Sequence, residues 1–399
     1  MWNRLYLEYF KCFEKLSLPL APLTLLSGLN SAGKSTVLQA LALLHQTAKD
    51  DEWSKSLLLN GSTILLGTTS DVIDKIHGRK EITIGIEAEN YQCIWRMLSE
   101  DRTAYIIPFK EITLTDYLTP FEKSYQINFS KKMPAMHQVL PATSIDEFPK
   151  EIAAHLSNQI SQLTYLGAER LGPRETYAVS SPNKYQTVGS QGEYTPWYLF
   201  NYADKKVANS LQISENPPGL QRQTEAYLNY FFPGAGFVVE PIKNTNLINL
   251  SIRTSQGSEY HRPQNVGYGL THVLPIITAC LGAEQGNVVL VENPEANLHP
   301  AAQALMGLFL ARVAASGVQV ILETHSDHVL NGVRRAVKDK KLLKKQVAIH
   351  FFKPRSENES KEPAVISPLI DDNGNLDNWP QEFFDQFDKD TAYFAGWEF

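Results

Sequence analysis

Gly28-Leu29-Asn30-Ser31-Ala32-Gly33-Lys34-Ser35 is a complete GxxxxGK[ST] stretch, set between an apolar run at 23–27 and a helical pattern at 35–48. That flanking is what the motif requires. A strand delivers the loop, its glycines let the backbone turn, and the next helix opens with N–H groups aimed at an anion. The expected occupant is the phosphate chain of a nucleotide, with Gly28, Asn30, Ser31, Ala32 and Gly33 lining the cradle. Lys34 is expected to reach the β and γ phosphates. Ser35 is expected to offer its hydroxyl to Mg²⁺, a cation that prefers oxygen ligands and keeps several waters. Thr36 is the less favoured neighbour for that task.

Working outward, Val37, Leu38, Leu41, Leu44 and His45 recur near a 3.6-residue period, so 35–48 reads as a helix. Ahead of the loop, 5–10 and 23–27 read as strands joined by a polar turn at Glu14 and Lys15. From about residue 260 apolar strands (288–291, 319–323, 347–352) alternate with helices (270–281, 300–315, 329–337). Short, wholly apolar strands between helices imply a parallel sheet covered on both faces. The expected fold is therefore α/β. A discontinuous domain from 1–50 and 260–355 is interrupted by a mostly β insertion at 51–259 and followed by a small C-terminal segment at 356–399. Within the insertion, 81–88 alternates as a half-buried strand should, 104–107 and 125–129 are further strands, and 182–218 reads as long loops.

A second half of the site is expected from the later strands. Val288-Val289-Leu290-Val291 ends in Glu292, and ligands in open α/β sheets bind beyond the carboxyl ends of strands, which puts this acid beside a nucleotide-bound cation. Asn293 and Glu295 follow. The strand at 319–323 runs into Thr324-His325-Ser326, where a histidine could donate to the γ-phosphate and report its presence. Gly267 and Gly269 stand at the start of the 270–281 helix. They either expose N–H groups to an anion, in which case the γ-phosphate of another subunit's nucleotide is the candidate, or form a plain capping turn.

Composition sets the bounds. The 399 residues carry 37 Lys and Arg against 43 Asp and Glu, a net charge of −6, with 43% hydrophobic and 20% charged residues. This is globular composition, long enough for two or three domain-sized units at roughly 150 residues each. Cys12, Cys93 and Cys280 are widely spaced and odd in number, which argues against a disulfide framework or a zinc site and for a reducing, cytoplasmic setting. Arg4, Glu8, Lys11 and Glu14 interrupt the N-terminal apolar residues, so no signal peptide is expected. No apolar stretch approaches the roughly 20 residues of a bilayer span, so no membrane partner is expected.

In this order the four pieces resemble the ABC-type ATPase head shared by the SMC, RecF and OLD families, a P-loop NTPase fold with a mixed sheet. More narrowly, ENPEANLHP (292–300), LETHSDHVLNGVRR (322–335) and IDDNGNLDNWPQEFFDQ (370–386) are similar to a bacterial group of RecF/OLD-like AAA ATPases with a small C-terminal domain of unknown function. YLGAERLGPR (165–174) matches that group loosely. The resemblance implies ATP and Mg²⁺ as cofactors and a Walker A at 28–36. It also implies a Walker B carboxylate at Glu292, a signature region at 267–271, a D-loop at 297–300 and a switch histidine at His325. It further implies a homodimer or higher homo-oligomer, with ATP held between one subunit's Walker A and the other's signature.

Two departures matter. The signature lacks its usual serine, since Val266-Gly267-Tyr268-Gly269 stands there, and the glutamate that usually follows the Walker B acid is Asn293. An amide can orient a water but cannot take its proton, which leaves Glu295 as the nearest carboxylate for that role and makes slow hydrolysis the expectation. The chain after His325 is too short for the Toprim domain of an OLD nuclease, and the proline-interrupted insertion is no coiled coil. Any nuclease or toxin should then be a separate partner, and anti-phage defence is suggested by family analogy alone. The alternatives are a largely non-hydrolysing scaffold that sequesters such a partner, and a transporter ATPase, which the poor signature disfavours.

Some features stay open at this stage. Arg334, Arg335, Lys338, Lys340, Lys341, Lys344 and Lys345 either meet nucleic acid or form a solvated helix face. Arg170 and Arg174 either clamp phosphate or pair with Glu169 and Glu175. The late aromatics, Trp379, Phe383, Phe384, Phe387, Tyr393, Phe394, Trp397 and Phe399, either pack on the core or present a docking surface.

Overall fold

The computed structural model describes residues 1–118, 123–128, 135–142, 149–180, 187–354 and 364–396. The chain opens with β1 (Trp2–Phe10), β2 (Phe13–Pro19), β3 (Leu23–Gly28) and α1 (Lys34–Asp50). It continues through β4 (Ser56–Leu58), α2 (Thr69–Val72), β5 (Glu81–Ala88), β6 (Tyr91–Leu98), β7 (Ile106–Asp116), β8 (Lys123–Asn128), β9 (Met136–His137), β10 (Leu140–Pro141) and α3 (Lys150–Ser161). Next come β11 (Thr164–Leu166), β12 (Tyr177–Ala178), α4 (Thr195–Asn201), α5 (Leu220–Phe231), β13 (Gly236–Pro241) and β14 (Leu247–Arg253). The last part holds α6 (Tyr268–Gly282), β15 (Val288–Glu292), α7 (Pro300–Ala315), β16 (Gln319–Glu323), α8 (Asp327–Lys338), β17 (Val347–Lys353), β18 (Ala364–Ile366) and α9 (Gln386–Ala395).

Among the described residues the central sheet runs β11-β15-β16-β3-β17-β18, parallel throughout except for the antiparallel β17–β18 pair. Its strands are apolar on both faces because both faces are covered. Val288 and Leu290 of β15, Ile321 of β16 and Leu26 of β3 point into one core, which they share with α1 and the antiparallel sheet. Val289, Val291, Val320, Leu322, Leu23 and Leu25 alternate into the other, shared with α5 to α8. Helix α1 lies between the two sheets and is buried almost all round, from Lys34 to Ala48, a broader covering than its single apolar stripe suggests.

The antiparallel sheet runs β2-β1-β5-β6-β7-β4, with β8 on β7. Pairing crosses both edges of the 51–259 stretch. β1 joins β5 from inside it, and β11, also from inside it, is the edge of the parallel sheet.

Several local expectations are corrected. Glu14 and Lys15 are not a turn. They lie within β2, where Leu16 and Leu18 alternate inward and Phe13 is buried at the start, and the reversal sits at Lys11 and Cys12, with Tyr9 and Lys11 at φ 54° and 52°. Strand β5 is not half-buried: Ile82 to Ile86 are all covered, with Tyr6 and Ile94 closing over Gly85. The 104–107 strand starts at Ile106 and runs on to Asp116. The 182–218 stretch holds α4 and a single helical turn, Asn209–Leu211, while 182–186 and Phe129 lie outside the described residues.

Two histidines are locked inside as neutral rings. His45 Nδ1 bonds the Ile160 carbonyl at 2.8 Å and ties α1 to α3. His350 bonds the Pro19 carbonyl through Nε2 at 2.8 Å and the Ser367 hydroxyl through Nδ1 at 2.7 Å. Burial pushes both pKa values down from 6.5 to about 4. Between those values the unfolded chain binds the extra protons, so their contribution is complete above about pH 6.5 and is lost as pH falls towards 4. Urea unfolding at pH 7.5 and pH 5 should show that loss, and His45→Gln should make the drop smaller; an unchanged drop would remove His45 from the account.

Candidate functional site

The loop after β3 is shaped by its covalent backbone. Gly28 adopts φ 134°, and a Cβ there would lie 2.1 Å from the Phe352 carbonyl oxygen, so only glycine lets β3 and β17 run side by side into the turn. Ser31 (φ 61°) and Gly33 (φ 100°) turn the chain again, and Gly33 caps α1. Asn30 and Ser31 are exposed, Ala32 is buried and Ser35 half-buried. Thr36 is buried with its hydroxyl 3.8 Å from the Cys12 sulfur.

Lys34 is 3% exposed, and its ammonium curls back to donate to the carbonyls of Gly28 (3.0 Å) and Leu29 (2.7 Å). Glu323 Oε1 stands 3.8 Å away. Burial lowers the Lys34 pKa, with Glu323 opposing.

The parallel register sets Glu292 directly opposite Glu323 at the ends of β15 and β16. Both are more than nine-tenths covered. Glu292 accepts from the Tyr165 hydroxyl (2.8 Å) and the Ala168 N–H (3.3 Å); burial raises its pKa and these bonds oppose the rise. Glu323 is pushed up to about 7 by burial, against a hydrogen bond from Ser35 and in concert with Glu292. The Glu295 carboxylate accepts from the Thr324 hydroxyl (2.7 Å) and the His325 N–H (2.8 Å), so its oxygens brace the switch loop. Ser326 then caps α8 at 3.2 Å from Val329 N. His325 is exposed, its ring 3.9 Å from Glu323, and its pKa is lowered chiefly by burial and then by Lys34.

Asn293 turns the chain at φ 45°, its N–H bonded to the Glu323 carbonyl at 2.9 Å and its buried side-chain oxygen unpartnered. Arg170 takes neither role expected of it. It is 5% exposed and donates to the carbonyls of Gly167 (3.2 Å), Glu292 (2.7 Å) and Asn293. It satisfies backbone acceptors that leave the sheet at the strand end. Arg174 is exposed, and Glu175 pairs with Arg262 instead, at 2.9 Å.

The start of α6 also differs from a purely anion-facing turn. Gly267 is exposed, but a Cβ on Gly269 would lie 2.8 Å from the Asn297 carbonyl oxygen, so this glycine allows close approach to the 297–300 loop of the same chain. Asn297 and His272 bond at 2.9 Å across the same contact.

A cavity of about 360 Å³ opens beside the loop, and its walls include Gly28, Leu29 and His325 on one side and Phe384, Gln386 and Lys389 on the other. Phe383 anchors that far wall. It is fully buried, with ring centres 5.2 Å from Phe351 and from Trp379. The late aromatics therefore divide: Phe383 is core, while Phe387, Tyr393 and Phe394 are at least 75% exposed, and Trp397 and Phe399 lie outside the described residues. The basic segment divides too. Arg334 bonds the Gly374 carbonyl at 2.7 Å and stacks on Trp379, and Lys344 pairs with Asp372 at 2.7 Å, while Arg335, Lys338, Lys340 and Lys345 are exposed.

The donor set suits Mg²⁺ and phosphate. A turned backbone at a helix start, one lysine, one hydroxyl and two buried carboxylates are the groups that a hard cation and a polyphosphate need together. Fold and donors together define the class, a P-loop NTPase. Residues 1–330 match the AAA ATPase domain family, and the chain belongs to it. Residues 342–393 match a second family, described as a protein of unknown function (DUF3696).

The crystal structure of an Smc head bound to the C-winged helix domain of ScpA is similar in fold, with a TM-score of 0.51 and 12% identity over 92% of this chain and 98% of that one. The SMC head domain from Thermotoga maritima gives a TM-score of 0.42 at 11% identity, over 93% and 99% of the two chains. An OLD nuclease of Thermus scotoductus is 48% identical over 44 residues, which are 11% of this chain and 8% of that protein. No helix among the described residues is long and apolar enough to cross a membrane.

Sequence reading missed the placement of Glu323 and the task of Arg170. The available signal for the first was its ending of an apolar strand, the same signal that singled out Glu292. Replacing Arg170 with methionine strands the buried carbonyls of Gly167 and Glu292 and the part-buried one of Asn293. It should lower unfolding stability by about 2 kcal/mol or more, read as a urea midpoint shift at constant slope. Unchanged stability with weakened nucleotide binding would return Arg170 to the phosphate-clamp role.

Proposed function

We propose that this chain binds ATP with Mg²⁺ and hydrolyses it slowly, and that two copies clasp the nucleotide between the 28–36 loop of one and the 267–271 start of α6 of the other, where Gly267 and Tyr268 are exposed. The observation that carries the reading is the Lys34 ammonium, held by carbonyls of its own loop beside paired strand-end carboxylates. In that arrangement Lys34 exchanges the two carbonyls for phosphate oxygens, Ser35 and Glu292 hold the cation, and His325 meets the terminal phosphate. Bound Mg²⁺ would neutralise charge developing on the transferred phosphoryl group.

Slow turnover rests on the acids. Asn293 stands where a proton acceptor usually follows the strand-end carboxylate, and Glu295 spends its oxygens on Thr324 and His325. ATP then works mainly as a latch for assembly, and assembly controls a separate effector, a nuclease or toxin, or a nucleic-acid process. Exposed Phe387, Tyr393 and Phe394 on α9 are the kind of side chains that anchor a protein partner. A role in anti-phage defence follows from family analogy alone. The same two residues favour a second reading, a scaffold that binds ATP without turning it over and sequesters its effector.

Light scattering with and without Mg-ATP should show assembly of the wild-type chain and none of Lys34→Ala, while turnover stays slow. Unchanged assembly of Lys34→Ala would defeat the clasp, and tight ATP binding with hydrolysis at background would select the scaffold.

A further inference from the structure

Three carboxylates stand at the C-terminal end of the parallel sheet, and their hydrogen bonds set them apart. Glu292 has a donor on each oxygen, Tyr165 at 2.8 Å and Ala168 N at 3.3 Å. So has Glu295, with Thr324 at 2.7 Å and His325 N at 2.8 Å. Glu323 does not. It is 6% exposed, yet its Oε2 is buried with no hydrogen-bond partner. A buried carboxylate oxygen left bare is costly, and native structures reserve such groups for ions, ordered water or chemistry.

Position points to which of these it is. Strand β16 lies between β15 and β3, so Glu323 is one strand from the loop strand and Glu292 is two. At about 4.8 Å per strand, the side chain of Glu323 is the nearer to the start of α1. Lys34 is 3.8 Å from its other oxygen, and Ser35 is the next residue of α1 after that lysine. A hydroxyl and a bare carboxylate oxygen next to a phosphate-binding lysine are two oxygen donors of the kind Mg²⁺ takes when it completes its shell with waters and phosphate.

We propose that Glu323 is a further protein carboxylate of the divalent-cation site, sharing the ion with Ser35 beside Glu292, which Tyr165 orients. The assignment rests on the nucleotide reading above and deepens it. It gives a third acid of the site a task, and it makes Glu323 set the affinity for the cation rather than for the nucleotide. Removing its charge should not weaken metal-free nucleotide binding, because a carboxylate beside a phosphate chain repels it when no cation lies between them.

The test uses the full chain with a non-hydrolysable ATP analogue and Mn²⁺ as the cation probe, whose free concentration is read by electron paramagnetic resonance. Analogue binding is measured separately in EDTA. Glu323→Gln, which keeps the shape, should bind Mn²⁺ roughly tenfold to a hundredfold more weakly than wild type. Its EDTA-state analogue affinity should be equal or tighter. Glu323→Asp keeps the charge on a shorter arm and should fall between the two. It supplies the comparison with wild type if the glutamine variant does not fold. Equal Mn²⁺ affinities in wild type and the folded variants, with normal analogue uptake, would overturn this assignment alone. Failure of the wild-type chain to take up the analogue at all would overturn the nucleotide reading first and this assignment with it.

Discussion

Charge buried at the ends of adjacent parallel strands is the constraint around which this molecule is organised. Lys34, Glu292 and Glu323 are each more than nine-tenths covered, and a charge in that setting must be paired or hydrogen-bonded. The surrounding structure supplies the partners one by one. Loop carbonyls receive the lysine, Tyr165 and a backbone N–H serve Glu292, and Ser35 meets Glu323. These partners come from widely separated parts of the chain, so the site forms only when the sheet closes in its native register.

That dependence explains why the site has so much support behind it. Arg170 reads in the sequence as either a phosphate clamp or a partner of Glu169 or Glu175, yet it ties down the carbonyls of Glu292 and Asn293, where the chain leaves β15 with a residue at positive φ. Glu295 looks like a spare base, yet it holds the loop that carries His325, so that loop is braced from the 293–295 turn as well as by the Ser326 cap of α8. Each of these groups acts by holding another in place, and each is more buried or more fully bonded than a group waiting for substrate.

The C-terminal segment belongs to the same structural logic. Phe383 plugs it into the core beside Phe351 of β17, and Arg334 of α8 reaches across to Gly374 and Trp379. The first turn of α9 thereby becomes a wall of the cavity that Gly28, Leu29 and His325 share, while Phe387, Tyr393 and Phe394 remain on the surface. One short helix thus lines that cavity on one side and meets solvent on the other.

Local patterns were legible without coordinates. The GxxxxGK[ST] loop, the helix after it and the apolar strands at 288–291, 319–323 and 347–352 announce themselves because strand and helix periodicity are written in neighbouring residues. What depends on pairing between distant segments was not. Strand β2 was hidden by the charged pair Glu14 and Lys15 near its start, and β11, only three residues long, joins β15 from far away in the sequence. The role of Gly269 depends on a carbonyl 28 positions further along the chain, at Asn297. Whether Glu292, Glu295 or Glu323 keeps an oxygen bare depends on which donors the folded sheet brings to each. A linear chain lists its acids; the strand order alone determines which of them stands beside the lysine.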